Sequence, residues 1–462
     1  MISILFKALL ILCCLCMLVL KREYKPAVFI FGYTVLSAVS LPVPMGNTIY
    51  FLPIFYIVTE GIQIKLMVKT FKISELVLAL LIFAISFIYN YVNSPHYWGS
   101  IPKLVTLLFR ECVTNYFIII VGFFSLKDVK TFRPFLQVAY ASLIIITLFG
   151  IINYVTREST MLDWIVGRSV QDEVSVGGKF TEAYRFRTQS LFVQPFDYGY
   201  TCLVILLAHV YGYTRNLVSG KRLAAVFLMA MFGVLSSSCR TVVACFIFGF
   251  VAFMSLYLKG NRTPVIVGVI LITGMLLYDF VPFFHSKVDF FMSIFSQSDT
   301  EFGGSSLELR AEQFASVLHY LDGHYWLGRG YDYFWIDLQF SKGLENSLAP
   351  DLYGLEGVHL AYLLERGIVG YFLYLLFFIL LFAFILRHRK SNREEAAAAF
   401  SLLVMYLSFA HMTGELNSRP ITFLLLGMLL RMIQNESWKW VQYKQREFNA
   451  QLRRRYRYRQ LS

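Results

Sequence analysis

A chain of 462 residues that is 57% hydrophobic and only 15% charged lies well below the roughly 25% charge of a soluble domain, which excludes an ordinary water-soluble globule. The net charge of +13 invites a nucleic-acid reading. Its distribution argues against one, because the excess Lys and Arg sit in short connections between apolar runs and in the tail. That is the charge signal of membrane topology.

A bilayer core takes about 20 apolar residues per helix. In chain order the predicted spans are 2–20, 26–41, 46–62, 73–91, 104–124, 134–155, 190–213, 222–237, 241–258, 264–284, 359–386, 396–412 and 420–435. The short ones are read as tilted, partial or re-entrant helices. The expected fold is an all-α polytopic membrane protein of about 12–13 helices. Residues 1–284 form a first helix bundle with a loop at 156–189, and 285–358 a large loop subdomain. Residues 359–435 carry the C-terminal helices, and 436–462 a basic tail.

Basic residues orient the spans. Lys21, Arg22 and Lys25 follow the first span, and Arg215, Lys221 and Arg222 join the seventh to the eighth. Arg387, Arg389, Lys390 and Arg393 follow the eleventh. One assignment puts all of these in the cytoplasm and both long loops outside. The tail RRRYRYR (453–459) then meets anionic inner-leaflet lipid, not nucleic acid. The seven cysteines imply no disulfide framework, since the large loop has none.

Charged residues collect on the expected outer face. Arg185 and Arg187 end the first long loop, and Arg240 sits in the tight hairpin LSSSCRTVV. In the large loop, Ser305 and Glu308 fit a capping box and start a helix near Ser306. Its apolar stripe is Leu307, Phe314, Val317, Leu318 and Leu321, with Arg310 on the same line. A guanidinium there needs an anion, either a loop carboxylate in a structural ion pair or a bound ligand. Arg329, between Gly328 and Gly330, marks an exposed turn able to cradle phosphate. His359 stands at the top of the next span as a possible base or a plain interfacial histidine. Glu365 lies deeper as a catalyst or an arginine partner, and His411, Glu415 and Arg419 follow in HMTGELNSRP. Walker A, H-E-x-x-H, G-x-S-x-G and paired-cysteine metal motifs are absent from the sequence, and no metal or cofactor is expected.

Four stretches then resemble the bacterial O-antigen polymerase and O-antigen ligase superfamily. They are RFRTQSLFVQPFDYGY (185–200), LSSSCRTVV (235–243), LELRAEQFASVLHYLDGHYWLGRGYDYF (307–334) and GVHLAYLLERGIVGY (357–371). The resemblance covers about residues 180–390. It departs at Leu360, where many members have Asn, and at Phe314, where Trp is common.

The resemblance implies a metal-independent, GT-C-like membrane glycosyltransferase of the bacterial inner membrane. It would take a glycan from undecaprenyl pyrophosphate on the periplasmic side. The roles it implies are catalysis for His359, Arg310 and Arg240, and substrate binding for Arg185, Arg187, Arg329 and Glu365. Its partners would be lipid-linked glycan, membrane lipid, and a chain-length regulator or other assembly proteins. A polymerase is slightly preferred over a ligase acting on lipid A core. A transporter is the reading from a different class, but the sequence shows neither inverted repeats nor broken mid-membrane helices.

Overall fold

The computed structural model describes residues 2–42, 47–67, 74–97, 100–126, 128–166, 187–258, 307–340, 347–352, 355 and 357–435. The predicted span 264–284, Ser305, Arg185 and the basic tail lie outside the described residues.

Among the described residues the chain is helical, with no strands beyond one isolated bridge between Ser40 and Asn47. The helices are α1 (Ile2–Val19), α2 (Lys25–Val35), α3 (Thr48–Met67), α4 (Ser74–Val92), α5 (Ile101–Ser125), α6 (Arg133–Thr156) and α7 (Thr160–Val166). There follow α8 (Pro195–Thr214), α9 (Gly220–Ser236), α10 (Arg240–Tyr257), α11 (Leu307–Tyr320), α12 (Val358–His388), α13 (Arg393–Met412) and α14 (419–435). Proline opens α2, α5, α6 and α8, where its missing N–H costs nothing.

Six described helices are long and apolar enough to cross a membrane: α1, α5, α6, α10, α12 and α13. Their exteriors remain apolar, as on α1 at Ile4, Leu12 and Val19 and on α12 at Ile368, Phe372 and Ile379. Hydrocarbon solvates such a surface, and helices satisfy their own backbone within it. Close packing uses small residues. A Cβ on Gly122 would lie 2.2 Å from the Leu424 carbonyl oxygen, and one on Gly427 2.1 Å from that of Ile119, so α5 and α14 touch backbone to backbone. Ala396–Ala399 are fully buried in α13.

The basic helix ends gather at one end of the bundle. Arg22 and Lys25 both reach Glu60 at 2.6 Å. Arg215 holds Glu395 through Nε at 2.7 Å, and Arg393 Nε donates to the Leu256 carbonyl at 2.7 Å. The described parts of the large loop pack at the opposite end.

There α12 is too long for one crossing. Its 31 residues span about 46 Å, against about 30 Å of hydrocarbon. Gly367, at φ 61° and ψ −170°, breaks it after Arg366. The segment below the break matches a bilayer, and Val358–Arg366 rises above it. The freed backbone groups are taken up by the loop. Arg329 and Gly330 donate N–H bonds to the carbonyls of Leu364 and Glu365 (2.9 and 2.8 Å). Ile368 and Val369 donate to those of Tyr325 and Trp326 (2.9 and 3.1 Å). The raised segment completes a small apolar core with the loop, in which Val317, Leu321, Leu338, Ala349 and Leu352 meet Leu360 and Leu364.

This docking corrects the expected face of α11. Gln313, Val317 and Leu321 are buried, whereas Phe314 is 44% and Leu318 38% exposed. The four-residue line 313–317–321 faces α12, so Phe314 and Leu318 turn outward. Arg310 stays half-buried at the edge of the docked face.

Candidate active site at the loop end of the bundle

His359 occupies the first turn of α12, after Gly357, whose φ of 90° begins the helix. The His411 ring, at the end of α13, stacks on it with centroids 5.8 Å apart and planes 9° apart. His411 is fixed in turn, Nδ1 against the Leu407 carbonyl at 2.9 Å and Nε2 against the Tyr371 hydroxyl at 3.0 Å. Besides His411, the charge acting on the His359 ring is that of Arg310. The loop helix thus brings a cationic charge within electrostatic reach of this ring. His359 Nδ1 is buried and makes no hydrogen bond with the described residues. It lies beside Gly357, where an added Cβ would sit 2.8 Å from it.

Arg240 and Arg187 reach the same end. The turn before Arg240 is tight, with Ser238 at φ 50°, and Thr241 shares a 2.5 Å hydrogen bond with Thr413. Arg187 lies 6.0 Å from the centre of the Phe196 ring, which contacts Phe409 at 6.1 Å. The N–H of Thr188 donates to Ser236 at 3.1 Å, tying the two loops together. Thus Arg187, Arg240 and His359 all border the end of α13.

Arg329 is spent differently. Its Nε and Nη2 donate to the carbonyls of Tyr320 and Asp322 (2.8 and 3.1 Å), and its backbone N–H serves the α12 break. These bonds make the Gly-Arg-Gly turn the splice that closes a broken helix. Glu365 accepts the backbone N–H of Asp332 at 3.2 Å and lies within the electrostatic influence of Arg366.

Glu365 also lines a pocket of about 280 Å³ between α5, α12, the loop and the segment after α13. Glu111, Asp332 and Glu415 line it too. Arg419 pairs with Glu415 and lies 3.9 Å from Glu111, whose other oxygen takes Arg110 Nε at 2.7 Å. Tyr116 donates to Glu415 at 2.5 Å, as does Tyr362. Asp197 positions this segment from α8, accepting the Ser418 N–H at 2.9 Å and its hydroxyl at 3.0 Å. Burial pushes the Asp332 carboxyl above the ordinary carboxylate range, against the pull of the Tyr97 hydroxyl and Arg110.

Arg110 and Glu111 were passed over in the sequence as part of an apolar run. The available signal was an adjacent ionisable pair inside a span, which marks a functional site by default. They sit where α5 widens into a π-helical stretch, Leu108–Phe117, a distortion frequent at functional sites.

Among the described residues no three His, Cys, Asp or Glu side chains group as metal ligands. No curated protein matches the chain. Residues 224–375 match the family model described as O-Antigen ligase. The match runs from α9 through α10 and α11 into α12, and so includes Arg240, Arg310 and His359. Residues 224–375 are thus similar to the O-Antigen ligase family, in keeping with the superfamily that the motifs resemble, in a chain with six described helices long and apolar enough to cross a membrane.

Proposed function

We propose that the protein transfers a glycan from undecaprenyl pyrophosphate to a sugar hydroxyl at the periplasmic face of the inner membrane. The observation that carries this reading is the His359–His411 stack at the start of α12, with the His359 ring inside the electrostatic reach of Arg310. A neutral imidazole with its lone pair on Nδ1 takes the acceptor hydroxyl proton as the new C1–O bond forms. The bond from C1 to the phosphate oxygen breaks, and the electron pair leaves with the lipid pyrophosphate. Guanidinium forks from Arg310 and Arg240, with Arg187, stabilise that leaving charge, and Arg185, outside the described residues, is assigned to donor binding from its motif alone. No metal step is needed in this scheme.

The acceptor we adopt is a second lipid-linked glycan, which makes the protein a polymerase. The described part of the large loop folds onto α12, and gives no separate domain for a lipid A core. The test uses purified protein in lipid discs with lipid-linked glycan as donor. Longer lipid-linked chains and free undecaprenyl pyrophosphate are expected, with or without EDTA. Adding lipid A core separates polymerase from ligase. Release of no undecaprenyl pyrophosphate with either acceptor would overturn the reading.

A further inference from the structure

The pocket of about 280 Å³ beside His359 plays no part in the chemistry above. Its size is near the lower end of small-ligand sites, roughly 300–1,000 Å³. Its polar lining has an unusual balance. Glu111, Asp332, Glu365 and Glu415 bring carboxylates, which when ionised only accept hydrogen bonds. Two nearby arginines are already engaged, Arg419 by Glu415 and Arg110 by Glu111.

Arg366 is the exception. It lines the pocket and is only 2% exposed. Its guanidinium lies between aromatic faces, 3.6 Å from the Tyr362 centroid and 4.3 Å from that of Phe87. Its one hydrogen bond is a long one, 3.5 Å from Nη1 to Ser86, and Nε is buried with no acceptor among the described residues. A buried donor of this kind calls for an acceptor in the pocket.

A ligand for this site must donate to carboxylates and accept from a guanidinium. Phosphate only accepts, and it would face the carboxylates. A hydroxyl does both. The remaining wall is aromatic: Phe334 and Trp335 meet edge to face at 5.3 Å, and Trp335 is 53% exposed, open to stack on an apolar ring face. We propose that this pocket binds an uncharged sugar ring of the acceptor glycan, held by hydroxyl hydrogen bonds to the carboxylates and Arg366 and by stacking on Trp335. Gly357 and Val358, the two residues before His359, line it and place the bound ring beside the first turn of α12. The acceptor role rests on the transferase reading above; the saccharide chemistry of the pocket does not.

The probe is the oligosaccharide freed from its lipid by mild acid, titrated into full-length protein in lipid discs and followed by saturation-transfer NMR. The wild type binds it. Trp335→Ala weakens binding about tenfold, the worth of one aromatic contact, and Trp335→Phe restores most of it. Arg310→Ala leaves it unchanged. Undecaprenyl pyrophosphate without sugar shows the reverse pattern, insensitive at Trp335 and weakened by Arg310→Ala. No saccharide binding, equal binding by wild type and Trp335→Ala, or displacement of the oligosaccharide by inorganic pyrophosphate each overturns the proposal. Loss of the transferase reading is told apart by the turnover assay. Absent transfer with this binding pattern intact removes the reaction and leaves the pocket, whereas normal transfer with Trp335-independent binding removes the pocket alone.

Discussion

Gly328 and Gly367 meet backbone to backbone: a Cβ on Gly328 would lie 2.4 Å from the Gly367 nitrogen, and one on Gly367 would lie 2.5 Å from the Gly328 nitrogen. Their contact is what lets the loop close the break in α12. Gly367 also holds φ 61° with ψ −170°, a region essentially restricted to glycine. Gly367→Ala should therefore cost on the order of 1–3 kcal/mol or more from backbone strain alone, with a clash added. A lowered unfolding temperature in detergent, unmatched by Gly220→Ala, is the expected result. Unchanged unfolding would mean the splice does not hold α12.

The two loop arginines should separate in the same assays. Arg310→Ala is expected to abolish chain growth while protein stays in the membrane, with Arg240→Ala behaving alike. Lysine should rescue either poorly, since a point charge does not replace a fork. Arg329→Ala should lower the unfolding temperature first, because its guanidinium and backbone both support the loop. Full activity in both the Arg310 and Arg240 variants would remove the pyrophosphate clamp.

The contrast between these arginines also shows what the sequence can carry. Long apolar runs with a leading proline are local facts, so α6 is expected at 134–155 and found at Arg133–Thr156. The tight turn before Arg240 was legible for the same reason. The Gly328–Gly367 splice is a contact between distant segments, and GRG alone reads equally well as a phosphate turn. The docked face of α11 was misjudged because its partner, the raised end of α12, is invisible from spacing; Gln313 is buried while Phe314 is not. Of the candidate site, His359, Arg310 and Arg240 stood out through position and motif. Arg110 and Glu111 did not, because hydropathy averaged them away.

Topology gives a separate test. The basic ends gather at one end of the bundle and the loop at the other. Asp322→Cys, exposed in the loop, should label with an impermeant maleimide applied from outside, and Ser391→Cys should not. The wild type provides the background, since six of its seven cysteines are buried and Cys16 is partly so. Labelling in the reverse pattern would place the site in the cytoplasm and end the case for a periplasmic donor.

His359 carries the sharpest prediction. Its ring is stacked on His411, lies within the electrostatic reach of Arg310, and has a buried Nδ1 without a hydrogen bond among the described residues. If Nδ1 takes the acceptor proton, only the neutral ring works. An ordinary histidine titrates near about pH 6.5, so transfer should fall as the medium is acidified through the ring's pKa and level off above it. His359→Ala should lose on the order of 10²–10⁴-fold in rate, the usual worth of a positioned base. Donor binding should survive, because in the proposed scheme the arginines hold the pyrophosphate. His359→Gln keeps a hydrogen-bonding group and much of the packing but takes no proton near neutrality, so it should be nearly as slow as the alanine variant and lose the acid limb of the profile. His411→Gln should keep that limb, because it alters the stacked neighbour while leaving the titrating ring. Measured turnover and bound donor, followed separately, decide the matter. A His359→Gln enzyme that turns over like the parent would make His359 a positioning residue and move the search for the base to Glu365 and Glu415.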